Sequence, residues 1–198
     1  MALDKSRIRE RLAYRAARIM SEGGIDDFGA AKRKAARLEG VAETRFLPSN
    51  EEIERELKIQ LDLYQPDEHR EVLRELRRQA VQAMRLLKGF NPWLIGPLVT
   101  GTAGKHSDIR LHLFADSAKD VEIFLLNQGI TYEAGEMRVS VRDEWPTRPK
   151  LTFSLGGSTI TAAVFLPHEL RQVYKSSAEG KAQKRVSIEW LEAAIARD

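Results

Sequence analysis

The chain has 198 residues, 42% hydrophobic, 31% charged and 7% aromatic, an ordinary composition for one large folded domain or two small ones. No apolar run approaches the roughly 20 residues of a membrane span. The first residues carry no signal-peptide core, and the lack of cysteine excludes disulfides, thiolate metal sites and a cysteine nucleophile. The expectation is a cytoplasmic protein without a membrane partner.

Residues 1–88 read as helices. Ile8, Leu12, Ala16 and Ile19 recur at three- and four-residue spacing, giving an amphipathic helix that stops near Gly23-Gly24. A short helix follows Asp27, with Phe28, Ala31, Ala35 and Leu38 on one face. Ser49 and Glu52 form a capping box that opens a third helix with Ile53, Leu57 and Leu61 inward. Pro66 suits the first turn of a fourth, where a missing N–H costs nothing. Its stripe is Leu73, Leu76, Ala80, Met84 and Leu87, ended by Gly89.

After Asn91-Pro92 the pattern changes, so 89–198 is read as a second domain of mixed strands and helices. Trp93–Ile95 predicts a short strand, Leu98–Ser107 a loop and Asp108–Phe114 a second strand. A helix capped by Ser117 runs to Gln128, with Val121, Phe124 and Leu125 inward. Strands follow at 137–142, 150–155 and 158–166, the last two joined at Gly156-Gly157-Ser158. Residues 174–185 read as a mobile basic loop, and Val186–Arg197 as a closing helix capped by Ser187. Trp93, Trp145 and Trp190 read as core or junction residues, and Asp143-Glu144 as a solvated turn.

The segment from Leu94 to Leu113 is the most informative. Gly101 and Gly104 permit positive φ, so neighbouring amides can converge on an anion, with Thr102 and Lys105 adding a hydroxyl and a charge. The alternative is a plain connection between strands. A P-loop is excluded. That motif needs four residues between its glycines, Ser or Thr after the lysine, and a helix next, whereas His106 follows Lys105 and a strand comes next. Alternation places Asp108, Arg110 and His112 on one face, with His106 in line before them and Ile109, Leu111 and Leu113 on the other. The polar row is expected to face water or a cleft. His106, Asp108 and His112 are nominal metal ligands, but Arg110 between them repels a cation, so no metal site is assigned.

Gly96-Pro97, Gly101-Thr102-Ala103 and Ser107-Asp108-Ile109-Arg110-Leu111 resemble the polymerase-β-like nucleotidyltransferase superfamily over about residues 90–166. Its small members carry Gly-Ser at the end of a strand, a Gly-Thr-Ala loop, and a strand reading Ser-Asp-Ile-Asp-Leu. The resemblance implies an α+β fold: a helical N-terminal part and a nucleotidyltransferase-like mixed sheet with flanking helices. With it, the expected nucleotide or anion site comprises Gly96, Gly101, Thr102, Gly104, Lys105, His106, Ser107, Arg110 and His112. Asp108 matches the family's first carboxylate. The departures imply lost chemistry. Family members hold two divalent ions on carboxylates from adjacent strands, but Arg110 takes the second position, Thr159–Phe165 contains no acid, and Pro97 replaces the serine. The expected function is binding of a nucleotide or RNA without turnover and without a cofactor. An active enzyme with an unusual carboxylate set, which would need Mg²⁺, and a non-catalytic protein-interaction or regulatory module are the alternatives.

Ten bases stand against four acids between residues 5 and 37. Arg7, Arg11, Arg15 and Arg18 share a helix face, and Lys32, Arg33, Lys34 and Arg37 cluster on the next helix. Such a surface suits sequence-independent phosphate contacts, or is a solvated helix face.

Overall fold

The structure, a computed structural model, describes residues 2–23, 25, 27–41, 46–64, 66–141, 144–175 and 182–197. Gly24, Asp143 and residues 176–181 of the expected basic loop lie outside them. The chain divides into two compact units: Met1–Glu71 with Thr102–Ser107, and Val72–Gly101 with Asp108–Asp198.

The first unit is helical: α1 (Ala2–Gly23), α2 (Phe28–Leu38), α3 (Asn50–Tyr64) and the opening of α4 (Pro66–Leu86). Small side chains let α1 and α2 approach closely. Ala16, Ala17, Ala31 and Ala35 are fully buried with Leu12 and Ile53. Leu38, in the last turn of α2, is instead 60% exposed. Asp27 caps α2 by accepting from the Ala30 N–H at 2.6 Å. The capping box of α3 is complete: the Glu52 N–H donates to Ser49 Oγ at 3.2 Å, and the Ser49 N–H donates to Glu52 Oε2 at 2.6 Å. Ser49→Ala is expected to cost about 1 kcal/mol, read as a lower urea midpoint at unchanged slope. An unchanged midpoint would mean that water serves the Glu52 amide as well.

The second unit holds a five-stranded mixed sheet in the order β1-β2-β6-β5-β3. Its strands are β1 (Trp93–Ile95), β2 (Ile109–Phe114), β3 (Tyr132–Arg138), β5 (Thr147–Leu155) and β6 (Ser158–Phe165). A small two-stranded sheet pairs β4 (Ser140–Val141) with β7 (Tyr174–Lys175). Between them run α5 (Pro97–Thr100), α6 (Ala118–Asn127), a 3₁₀ turn at Pro167–Arg171, and the closing helix α7 (Ile188–Ile195). The fold is therefore α+β, a helical N-terminal part followed by a mixed sheet. Among the described strands only β2 and β6 run parallel, with Ile109 opposite Ile160 and Phe114 opposite Phe165. The β5–β6 hairpin turns at Gly156 and Gly157, both at positive φ.

One sheet face is apolar. Leu94, Leu111, Ala162 and Leu151 form one cross-strand row, flanked by Ile109, Ile160 and Phe153, and all are buried. The stripe of α4 from Leu73 to Leu87 is buried as its spacing predicts. Ser158 at the hairpin donates to Gln79 of α4, and Arg85 of α4 donates to Glu192 of α7 at 2.6 Å.

Four expectations change. Residues 97–100 form a helical turn rather than loop, because Pro97 presets φ at its first position while Gly96 and Gly101, at φ 79° and 80°, bound it. Strand β3 begins five residues earlier than expected. It is an edge strand with mostly exposed side chains, so no apolar alternation marks it. Tyr174 is no loop residue: it pairs with Val141 and is 2% exposed. Trp145 is 38% exposed, so it is not core.

Candidate functional site

The second sheet face carries the chemistry, because alternation along β2 turns Arg110, His112 and Phe114 toward it. Register extends each row across the sheet. Arg110 lies opposite Thr161, which lies opposite Thr152, which lies opposite Glu133. The next row runs Trp93, His112, Ala163, Lys150 and Gly135. The face thus has an open polar end and a covered aromatic end.

At the open end Asp108 stands just before β2, half-buried, and Thr161 Oγ1 donates to its Oδ2 at 3.2 Å. Arg110 is also half-buried, and its stem crosses Gly96: a Cβ added to Gly96 would lie 3.3 Å from Arg110 Cδ. A side chain at residue 96 would push Arg110 aside, and φ of 79° already favours glycine there. These residues do not fit a pair of divalent ions. The neighbour of Asp108 on β6 is a hydroxyl, Arg110 is a fixed cation, and β6 carries no carboxylate. Among the described residues, no three of His, Asp and Glu converge as metal ligands.

In the loop between the strands three amides bond within the loop and the turn before it. The Gly101 N–H donates to Pro97 O at 2.9 Å, closing α5. The Gly104 N–H donates to Ser107 Oγ at 3.0 Å, and the Ser107 N–H returns to Gly104 O at 3.0 Å. That tight turn commits the Gly104 and Ser107 amides. Gly101 adopts positive φ but Gly104 does not. Thr102 and Ser107 are buried, whereas Lys105 and His106 are exposed.

His112 is the largest correction. It does not face a cleft; it is 1% exposed, with its ring 4.5 Å from Phe165 and 5.4 Å from Tyr174. Alternation puts it on the polar face, but the covering chain closes over that end of the sheet. Phe114, Val139, Ala163, Phe165 and Tyr174 form a buried cluster there, with Trp93, Met137 and Leu170 packed on it. Burial, helped by the Arg185 guanidinium, pushes the His112 imidazolium down to about 3, so the ring is neutral at ordinary pH. Its place is in the aromatic cluster, not in the half-exposed polar row where Asp108 and Arg110 stand.

Two arginines that sequence reading passed over belong to this end. Arg148 pairs with buried Glu169, whose other carboxylate oxygen accepts from the Leu166 N–H at 2.8 Å. Arg185 lies 5.4 Å from the Tyr174 ring centre and 5.6 Å from that of Phe114, donating to Leu170 O and Gln172 O at 2.6 and 3.0 Å. Neither Thr161 nor Arg185 stands out in sequence. Their partners are distant, and only the β2–β6 register and the return of the chain after β7 align them.

In the helical unit the arginine row is largely committed to carboxylates. Arg11 and Arg15 both reach Glu39, at 2.8 and 3.0 Å, and Arg18 reaches Glu22 at 2.8 Å. Arg7 lines an open groove with Ile8, Glu10, Arg11, Tyr14 and Glu56. On α2, Arg33 lies 4.0 Å from Asp27. The row is thus a face of ion pairs rather than a bare basic stripe.

Compared with family models, with curated proteins and with solved structures, the chain matches none. Among the described residues, no helix is long and apolar enough to cross a membrane.

Proposed function

We propose that the chain is a catalytically degenerate protein of the nucleotidyltransferase-like class that binds a nucleotide without turning it over. One observation carries the reading. Across the β2–β6 ladder, Thr161 stands opposite Arg110 and donates to Asp108. Where two-metal phosphoryl transfer needs carboxylates on neighbouring strands, this face offers one carboxylate, one guanidinium and one hydroxyl. Arg110 then takes the role of the missing ions, since a guanidinium pairs with phosphate oxygens in bidentate fashion. Asp108 and Thr161 flank it as orienting partners. RNA is the less favoured ligand, because Arg11, Arg15 and Arg18 already hold carboxylates.

Nucleoside triphosphates titrated calorimetrically into the full chain test this. Binding is expected to survive a metal chelator and to fall at least tenfold in Arg110→Ala. No labelled nucleotide should be incorporated with Mg²⁺ or Mn²⁺. Incorporation that disappears in Asp108→Ala would restore the enzyme reading, and binding of RNA alone would shift the ligand.

A further inference from the structure

We propose that the covered end of the sheet face is an oxyanion site, holding one carboxylate or phosphate group between Trp93, His112 and Arg185. The inference is independent of Arg110 and of the proposed nucleotide site. It rests on what the buried polar atoms there lack.

Trp93 Nε1, His112 Nδ1 and Arg185 Nη1 are all shielded from solvent and find no hydrogen-bond partner among the described residues. The three belong to one neighbourhood. Trp93 and His112 are direct cross-strand partners on β1 and β2, and the Arg185 guanidinium lies 6.0 Å from the Trp93 ring centre. Arg148 Nε, whose guanidinium lies 6.0 Å from the Phe165 ring centre, and Ser140 Oγ, next in the chain to Val139, are also buried without a partner among the described residues. Leaving so many polar groups unpaired at one place is costly, each on the order of 1–3 kcal/mol.

Chemical type decides what would satisfy them. An indole N–H and a guanidinium N–H can only donate. Of the five atoms, three are obligate donors and none is an obligate acceptor. A water accepts two hydrogen bonds but must also place its own protons, and of these five atoms only His112 Nδ1 and Ser140 Oγ can receive them. An oxyanion accepts from every side. Charge agrees with this count: Arg148 is neutralised by Glu169, whereas Arg185 has no carboxylate partner among the described residues. Nη2 of Arg185 is spent on two backbone carbonyls, so Nη1 remains for the ligand. A neutral His112 supplies a further N–H when its tautomer places the proton on Nδ1.

The probes are sodium phosphate and sodium acetate, added to the full chain at constant ionic strength, with sodium chloride as the balancing salt. Thermal unfolding and the indole N–H resonances are followed together. Expected is a rise in Tm of several degrees that saturates with one of the oxyanions. The Trp93 indole resonance, identified by its loss in Trp93→Phe, should move downfield along the same curve. Arg185→Gln should abolish both responses. If that variant does not fold, Trp93→Phe keeps the ring packing and should weaken the oxyanion about tenfold. A rise equal in wild type and variants, with the Trp93 resonance unmoved, would mean adventitious ions only and would overturn the site. Arg110→Ala separates this site from the nucleotide reading, because an oxyanion response that persists there cannot come from Arg110.

Discussion

Glu169→Gln is expected to lower the unfolding free energy by about 3 kcal/mol, the low end of the loss on breaking a buried ion pair. Glu169 is 3% exposed and serves two partners: one oxygen takes the Leu166 N–H, and the other pairs with Arg148. Glutamine keeps an acceptor for the amide but withdraws the charge. Arg148 is then a mostly buried guanidinium that already has an unpartnered Nε. Urea unfolding at unchanged slope measures the loss. Adding Arg148→Met should recover part of it, because the stranded cation is removed. A loss below about 1 kcal/mol, in the range of surface pairs, would mean that water screens this one.

Acid should destabilise the fold through His112. Its folded-state value lies near 3, against 6.5 for a free imidazole. Between those values the unfolded chain binds the proton and the folded chain does not, so unfolding is favoured as pH falls. The contribution is complete above pH 6.5 and is lost progressively toward pH 3, by up to about 1.4 kcal/mol per pH unit. The charged groups around the ring are Arg185 and, across the cluster, the Arg148–Glu169 pair. Neither cation changes its charge in this window. His112→Phe should flatten the dependence of the urea midpoint between pH 6.5 and 5, above the carboxylate range. An unchanged slope in that variant would assign the acid sensitivity to other groups.

What could be read in advance follows the range of the interactions. The Ser49–Glu52 box and the Asp27 cap need only neighbours three residues away, and both appear as expected. The Leu73-to-Leu87 stripe repeats a period that any helix imposes, and the Gly156-Gly157 turn is equally local. Burial of His112 was not legible. Its neighbours Phe165 and Tyr174 are far along the chain, and alternation reports which face a residue takes, not whether that face is covered. The partners of the Gly101 and Gly104 amides are not legible for a related reason. Sequence shows that a glycine permits an open loop, whereas the Ser107 hydroxyl and the carbonyls of Pro97 and Gly104 decide otherwise.

The position of β3 has a consequence for how this sheet behaves among other copies of itself. As the terminal strand it presents a run of backbone donors and acceptors able to template a further strand, the usual starting point of edge-to-edge aggregation. Its sequence, Tyr-Glu-Ala-Gly-Glu-Met-Arg, works against that outcome. Glu133, Glu136 and Arg138 bring charges that an added strand would have to accommodate, and Gly135 offers it no side chain to pack on. The polarity that hides β3 from a hydrophobic pattern is therefore its protection, and replacing Glu133 and Glu136 by valine would make the strand both easier to recognise and prone to self-association.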